Sequence, residues 1–190
     1  ADVSVRYGRD SRTGSWVNPQ VELEFKPAAS LTMEVELEYQ HFNRMLAWAA
    51  NVPDAALPTG SYSVFAERTT TEWDLTTRGT FVFSRDLTLQ MYLQIFFAQG
   101  KYENYLRRLD EDRYTPIPYS RPDFNELSFH SNVVLRWEYL PGSTAYLVWS
   151  QARSGDRGNY ATPFGDNFTH TFALPMENVL LLKVSYWWSL

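Results

Sequence analysis

The 190-residue chain has three histidines, His41, His130 and His170, and no cysteine. The histidines lie far apart and form no H-E-x-x-H pair or similar ligand set. Without thiols there is no disulfide, no thiolate metal site and no cysteine nucleophile. Acid, base and nucleophile types do collect in two polar stretches, His41 with Asp54 and Ser61, and Ser154 with Asp166 and His170. Such sets would suit hydrolysis, but neither has the strained turn or fixed spacing that makes a motif, and polar loop residues in water explain them as well. The reading therefore assigns no catalytic residue, no metal ligand and no cofactor.

Two other features carry chemistry. Asp110, Glu111 and Asp112 stand among Arg107, Arg108 and Arg113, a cluster able to hold a divalent cation or bridge lipopolysaccharide phosphates, although interleaved opposite charges more often neutralise each other on a wet surface. Asn167-Phe168-Thr169 matches an N-glycosylation acceptor, a short pattern that chance supplies.

Composition narrows the classes. Lys and Arg number 17 against 22 Asp and Glu, a net charge of -5, which excludes nucleic acid as a default partner because phosphate-binding surfaces need a basic excess. The longest apolar run, Met45 to Ala50, is far short of the roughly 20 residues of a spanning helix. The length suits one domain, residues 1–190. The chain opens at Ala1 with no basic, apolar leader, as a mature product or an excised piece would. Aromatic residues make up 16% of the chain, and that excess has to be placed.

The elements that must position these residues are strands. Val21 to Lys26 and Leu31 to Gln40 alternate apolar and polar with period two, around a break at 27–30. The same alternation flanks the turns at 84–86 and 140–143, giving hairpins from Trp73 to Ile95 and from Leu127 to Trp149. A first strand (Val3, Val5, Tyr7) and a last one (178–190, with Leu180, Leu182, Val184, Tyr186, Trp188 and Leu190 on one face, Lys183, Ser185 and Ser189 on the other) bring the count to eight. Short turns fall at one end, with both termini, and long polar links near 9–17, 43–61, 104–125 and 155–177 at the other.

Alternation is shared by soluble sandwiches and membrane barrels. Several segments reach the roughly 9–11 residues of a spanning strand, and Phe81, Phe83, Trp137, Tyr139, Tyr186 and Trp188 gather near the short turns, as an interfacial aromatic girdle would. The opposite face carries Glu22, Glu24, Glu34, Glu36, Glu38, Glu72, Asp74 and Glu138, with Arg6, Lys26, Arg78, Arg136 and Lys183 as counter-charges. In a barrel these groups face the lumen and need pairing or water, and the acids outnumber the bases. Eight strands leave an interior that side chains fill, so a plug of charge and water is expected rather than a pore.

Ser131 to Ser154, with Arg136-Trp-Glu-Tyr139, Pro141-Gly-Ser143 and Val148-Trp-Ser-Gln151, followed by Glu177 to Trp188 with Ser185-Tyr-Trp187, resembles the C-terminal end of a family of uncharacterised bacterial outer-membrane-barrel proteins. Thr69 to Tyr102 is similar to the family's preceding hairpins; the likeness runs from about Ser61 and is weaker before it. Members begin with a domain resembling family 9 carbohydrate-binding modules. That domain has no counterpart here, so no sugar-handling role carries over, and the family offers no catalytic residue. Its members are usually longer, which implies that these strands are the C-terminal part of a larger barrel.

The expectation is thus an all-β, antiparallel, up-and-down transmembrane β-barrel of about eight strands, or the C-terminal part of a larger one, in the bacterial outer membrane. Its apolar face, including Val35, Leu37, Leu89, Leu93, Leu135 and Leu182, would meet lipid. Its role would be a non-enzymatic anchor or structural component that meets other envelope proteins through long loops. A soluble β-sandwich or lipocalin-like binding module is the alternative, and an outer-membrane hydrolase the next.

Overall fold

The computed structural model describes residues 1–10 and 14–188. Nine strands form one antiparallel sheet: β1 (Asp2–Asp10), β2 (Gly14–Ala28), β3 (Leu31–Pro53), β4 (Ser61–Val82), β5 (Leu87–Arg108), β6 (Tyr114–Pro116), β7 (Phe124–Leu140), β8 (Ser143–Asp156) and β9 (Met176–Ser185). One helix, α1 (Phe164–Ala173), lies between β8 and β9. The order is β1-β2-β3-β4-β5-β7-β8-β9, with the three-residue β6 attached to β5. The eight-strand meander read from the alternation is this path. Among the described residues β1 and β9 do not pair with each other, so the sheet has two free edges.

The short turns sit where expected. Gly142 ends the β7–β8 turn at φ +76°, a left-handed conformation that glycine adopts without a Cβ penalty. Several strands outrun the expected boundaries. β3 continues to Pro53 and β4 starts at Ser61, so the link expected at 43–61 shrinks to 54–60. β5 continues to Arg108, and α1 occupies part of the expected 155–177 loop. β9 ends at Ser185, which leaves Tyr186 and Trp188 beyond the last strand; Ser189, Leu190 and residues 11–13 of the first link lie outside the described residues.

Directly paired residues in an antiparallel sheet share a face. The register rows Val21–Leu37–Leu75–Ile95–Phe129 and Leu31–Phe81–Leu89–Leu135–Leu147–Leu182 run across one face. Rows such as Glu24–Glu34–Arg78–Tyr92–Asn132–Ser150 run across the other. We call these the apolar and polar faces.

The apolar band does not run the full strand length. On β4 the apolar-face residues are Phe81, Leu75 and Trp73 near the turns but Thr71, Thr69, Glu67 and Ser63, with Phe65 among them in the row Trp48–Phe65–Leu106, towards the loops, while the polar face changes from Arg78 and Asp74 to Ala66 and Val64. A bulge in β3 between Phe42 and Met45, and a register shift between β4 and β5 at Phe65/Glu67, mark the inversion. Arg44 and Asn104 take left-handed φ values there, 54° and 52°, and both bind Glu67: Arg44 Nε donates at 2.8 Å and Asn104 Nδ2 at 2.6 Å.

Two small cores follow, on opposite faces. On the apolar face Ile95, Phe97, Leu127 and Phe129 are covered by Phe168 of α1 and by Leu174. On the polar face, near the loops, Ala49, Val64 and Ala66 are covered by Tyr105, Ile117 and Tyr119. Burying each cluster removes apolar side chains from water, at roughly 25 cal/mol per Å². The rest of the apolar face has no such cover: Leu182 and Leu180 are 67% and 71% exposed.

Candidate functional site on the polar face

By register Glu22, Glu24, Glu34, Glu36, Glu38, Arg78, Arg136, Glu138 and Lys183 share the polar face, as do Glu72 and Asp74. Arg78 reaches Glu34 at 2.6 Å and Glu36 at 3.8 Å. Arg6 pairs with Glu38 at 3.7 Å, Lys26 with Glu24 at 3.5 Å and Arg136 with Glu138 at 2.9 Å. Lys183 stands opposite Tyr146 and makes no ion pair among the described residues.

The surplus of acids is met by neutral donors. Asn18 Nδ2 and Gln40 Nε2 donate to Glu38 at 2.7 and 2.8 Å, Gln20 Nε2 to Glu36 at 2.5 Å, and Gln94 Nε2 to Asp74 at 2.6 Å. Thr76 adds a hydroxyl to Asp74 at 3.0 Å. Sequence reasoning counted charges and missed these amides. The signal was available, because Gln20, Gln40 and Gln94 occupy the same parity as the acids and therefore the same face.

Towards the loops the polar face holds a cavity of about 550 Å³. Arg68, Thr70 and Glu72 of β4 line one wall, Phe124 and Glu126 of β7 another, and Arg121 from the β6–β7 link reaches across. Arg121 Nη1 donates to the Ala49 carbonyl at 2.9 Å, and its guanidinium lies 4.8 Å from the Tyr102 ring centroid. A Cβ at Gly100 would lie 2.4 Å from the Phe124 ring, so glycine allows this ring to lie against the strand.

The sequence triads do not assemble. Asp54 and Ser61 meet at the tip of the β3–β4 hairpin, but His41 lies twelve positions down β3 from Pro53, about 40 Å at strand rise, with Nδ1 3.0 Å from Thr71 Oγ1. Ser154 is on the polar face, opposite Ser128, whereas Asp166 and His170 belong to α1 on the apolar face.

The 107–113 cluster lies at the β5–β6 hairpin and holds one ion pair among the described residues. Arg113 pairs with Asp110, which also accepts the backbone N–H of Arg113 at 3.1 Å, and Arg107 turns away to stack on Tyr62 at 4.2 Å. The Asp110 carboxyl is held below its usual range chiefly by the Arg113 hydrogen bond. Among the described residues no group of three or more His, Asp or Glu is placed to hold a metal.

Asn167 is buried, which rules it out as a glycan acceptor in this fold. Asn125 Nδ2 donates to Asn167 Oδ1 at 2.9 Å, and Asn167 Nδ2 donates back to Asn125 Oδ1 at 3.2 Å. This reciprocal amide pair ties α1 to β7. Arg153 Nη1 completes the attachment by donating to the carbonyls of Phe172 and Leu174 (3.1 Å for the latter), and Gly155 leaves room for Leu174.

The expected girdle residues stand near the short turns. Phe81 and Phe83 are in edge contact at 4.4 Å, Trp137 and Tyr139 at 5.9 Å, and Tyr186 and Trp188 are exposed. Trp73, Phe97 and Phe129 of the sheet form a further aromatic group with Phe164, Phe168 and Phe172 of α1.

Residues 1–189 match the model of a family described as a domain of unknown function, DUF5916, and the chain belongs to that family. No curated protein and no solved structure matches it.

Proposed function

We propose that this DUF5916 domain is a non-enzymatic β-barrel component of the bacterial outer membrane. Its apolar face meets acyl chains, its acid-rich face is enclosed, and its long-loop end offers the contact surface for other envelope proteins. The observation that carries this reading is the bounded apolar band. Within Leu31 to His41, Thr71 to Phe81, Leu87 to Phe97 and Leu127 to Trp137 most of the large side chains on one face are apolar, and where β3, β4 and β5 continue beyond them that face carries Thr69, Glu67, Ser63, Gln99 and Lys101 beside the apolar row Trp48–Phe65–Leu106. Those segments match the roughly 9–11 residues that cross the hydrocarbon, with polar strand extensions beyond.

A soluble sheet would have to hide this face under a second layer, and α1 covers only its loop-side end. A sandwich needs two sheets, and the described strands form one. In the barrel reading the free edges of β1 and β9 pair with each other or with further strands, because unpaired ladder groups in lipid cost several kcal/mol each. No helix is long and apolar enough to cross a membrane, and in this reading the strands do the crossing.

Extraction tests it. The expected result is that the protein stays in the envelope fraction through a high-salt wash and is released by detergent. Recovery in the soluble fraction would overturn the proposal in favour of a soluble binding module.

A further inference from the structure

The polar-face cavity contains groups that the fold leaves unanswered. Thr70 is 2% exposed, and its Oγ1 has no hydrogen-bond partner; Nε of Arg68 is likewise buried and unpartnered. A buried polar group without a partner costs about 1–3 kcal/mol, and here two line the same space. Arg68 makes no ion pair among the described residues. Arg121 brings a second guanidinium to the cavity, fixed by the Ala49 carbonyl and the Tyr102 ring.

The opposite sign is present too. Glu72 and Glu126 stand in one register row, Glu72–Ala98–Glu126, two positions along from the row Thr70–Gly100–Phe124. Asp123 and Asp156 also line the space, and Asp156 Oδ1 accepts the backbone N–H groups of Asn125 and Gly158 at 3.0 and 2.7 Å. A lone anion would meet these carboxylates and a lone cation the two arginines. A ligand with both charges suits both ends.

We propose that this cavity binds a small zwitterion of the dipeptide type. Its carboxylate takes the unfilled donors of Arg68, Thr70 and Arg121, and its ammonium takes Glu72 and Glu126. The spacing agrees: Thr70 and Glu72 are two strand positions apart, about 7 Å, close to the span of two extended residues. A volume of about 550 Å³ is ample for such a molecule. The Phe124 ring against Gly100 supplies an apolar wall in the Thr70 row. The site does not depend on what covers the apolar face.

Isothermal titration of the full chain in detergent micelles tests this with four probes: dialanine, its N-acetyl form, its C-terminal amide and inorganic phosphate. Dialanine should bind saturably, and blocking either end should weaken it by about tenfold or more. Arg68→Gln should produce a loss of the same size. Thr70→Val, which keeps the side-chain volume and should leave the strand circular-dichroism signal unchanged, should weaken binding by about fivefold. The absence of saturable dialanine binding, equal binding of the blocked forms, binding of phosphate alone, or unchanged affinity in a folded Thr70→Val protein would each overturn the proposal.

Discussion

On β4 the even-numbered side chains change character halfway along, and so do the odd ones. Between Thr71 and Phe81 the even set is charged or polar and most of the large odd residues are apolar; between Ser61 and Thr70 the even set contains the buried Val64 and Ala66 beside Arg68, and the odd set contains Glu67 and Thr69 beside Phe65. The turn-side half leaves both faces mostly half-buried, with Arg78 exposed, whereas the loop-side half buries Val64 and Ala66 together with Thr69 and Thr70. The difference teaches that the character of each face changes along one strand, at the β3 bulge by Arg44 and the β4–β5 register shift by Asn104.

Each half stabilises itself by its own means. In the turn-side half, carboxylates are satisfied laterally by Arg78 and by the amides of Asn18, Gln20, Gln40 and Gln94. Apolar burial is local: α1 covers the loop-side end of the apolar band, and Tyr105, Ile117 and Tyr119 cover the other face of the loop-side half. Glu67 sits at the boundary and binds both residues with left-handed backbone, Arg44 and Asn104.

The largest effect that would break this contrast is a cation in the apolar band. Leu37→Arg should cost about 2–4 kcal/mol in a bilayer, seen as failed insertion or lowered urea stability in vesicles. Ser63→Arg, on the same face in the loop-side half, should stay within about 0.5 kcal/mol. Leu37 is a cleaner probe than Leu93, because Leu37 is 37% exposed while Leu93 packs against the α1 cluster and would lose stability in any solvent. Equal tolerance of Leu37→Arg and Ser63→Arg would remove the distinction.

Next in size is the attachment of α1. Asn167→Ala leaves the buried Asn125 Oδ1 without its donor, while Nδ2 keeps Thr162 Oγ1 at 3.1 Å, and should cost about 1–3 kcal/mol. The loss should be local, read as faster amide hydrogen exchange and protease cleavage in residues 157–175, with the turn-side strands unchanged. Loss of protection across the whole sheet would mean that the halves are not independent.

The smallest effect concerns pH. Burial alone would raise the Glu67 pKa, but hydrogen bonds from Asn104 and Arg44 outweigh it and hold the carboxyl below its usual value. The folded state therefore binds this proton more weakly than the unfolded state does. The resulting stability is present above the ordinary carboxylate pKa near 4.5 and is lost as pH falls through the depressed value. The contribution should be under about 1 kcal/mol, visible as an acid-side fall in thermal midpoint that Glu67→Gln abolishes.

The turn-side half was legible in the sequence because its alternation is unbroken and its turns carry Pro141, Gly142 and Asp86, so strand phase, hairpin pairing and the shared face of the acids all follow. The loop-side half was read as loops for a physical reason. The bulges at Arg44 and Asn104 shift parity, and a period-two pattern that changes phase looks like no pattern. Helix α1 was missed although Phe164, Phe168 and Phe172 stand at the i, i+4 spacing of one helical face, because polar neighbours and Pro163 made the stretch read as a loop. The cavity groups Arg68 and Arg121 come from distant segments that only the register and the fold of 117–123 bring together.

The absence of cysteine permits the most direct measurement, site-directed spin labelling at single introduced cysteines in liposomes. Labels at positions 35 and 37 should be reached by lipid-soluble oxygen and shielded from a water-soluble nickel reagent. Labels at 34 and 36 should be shielded from oxygen, and a label at 63 should be open to nickel. Oxygen access that fails to alternate along 34–37, or nickel access equal at 37 and 63, would contradict a lipid-facing band that ends at the Glu67 boundary.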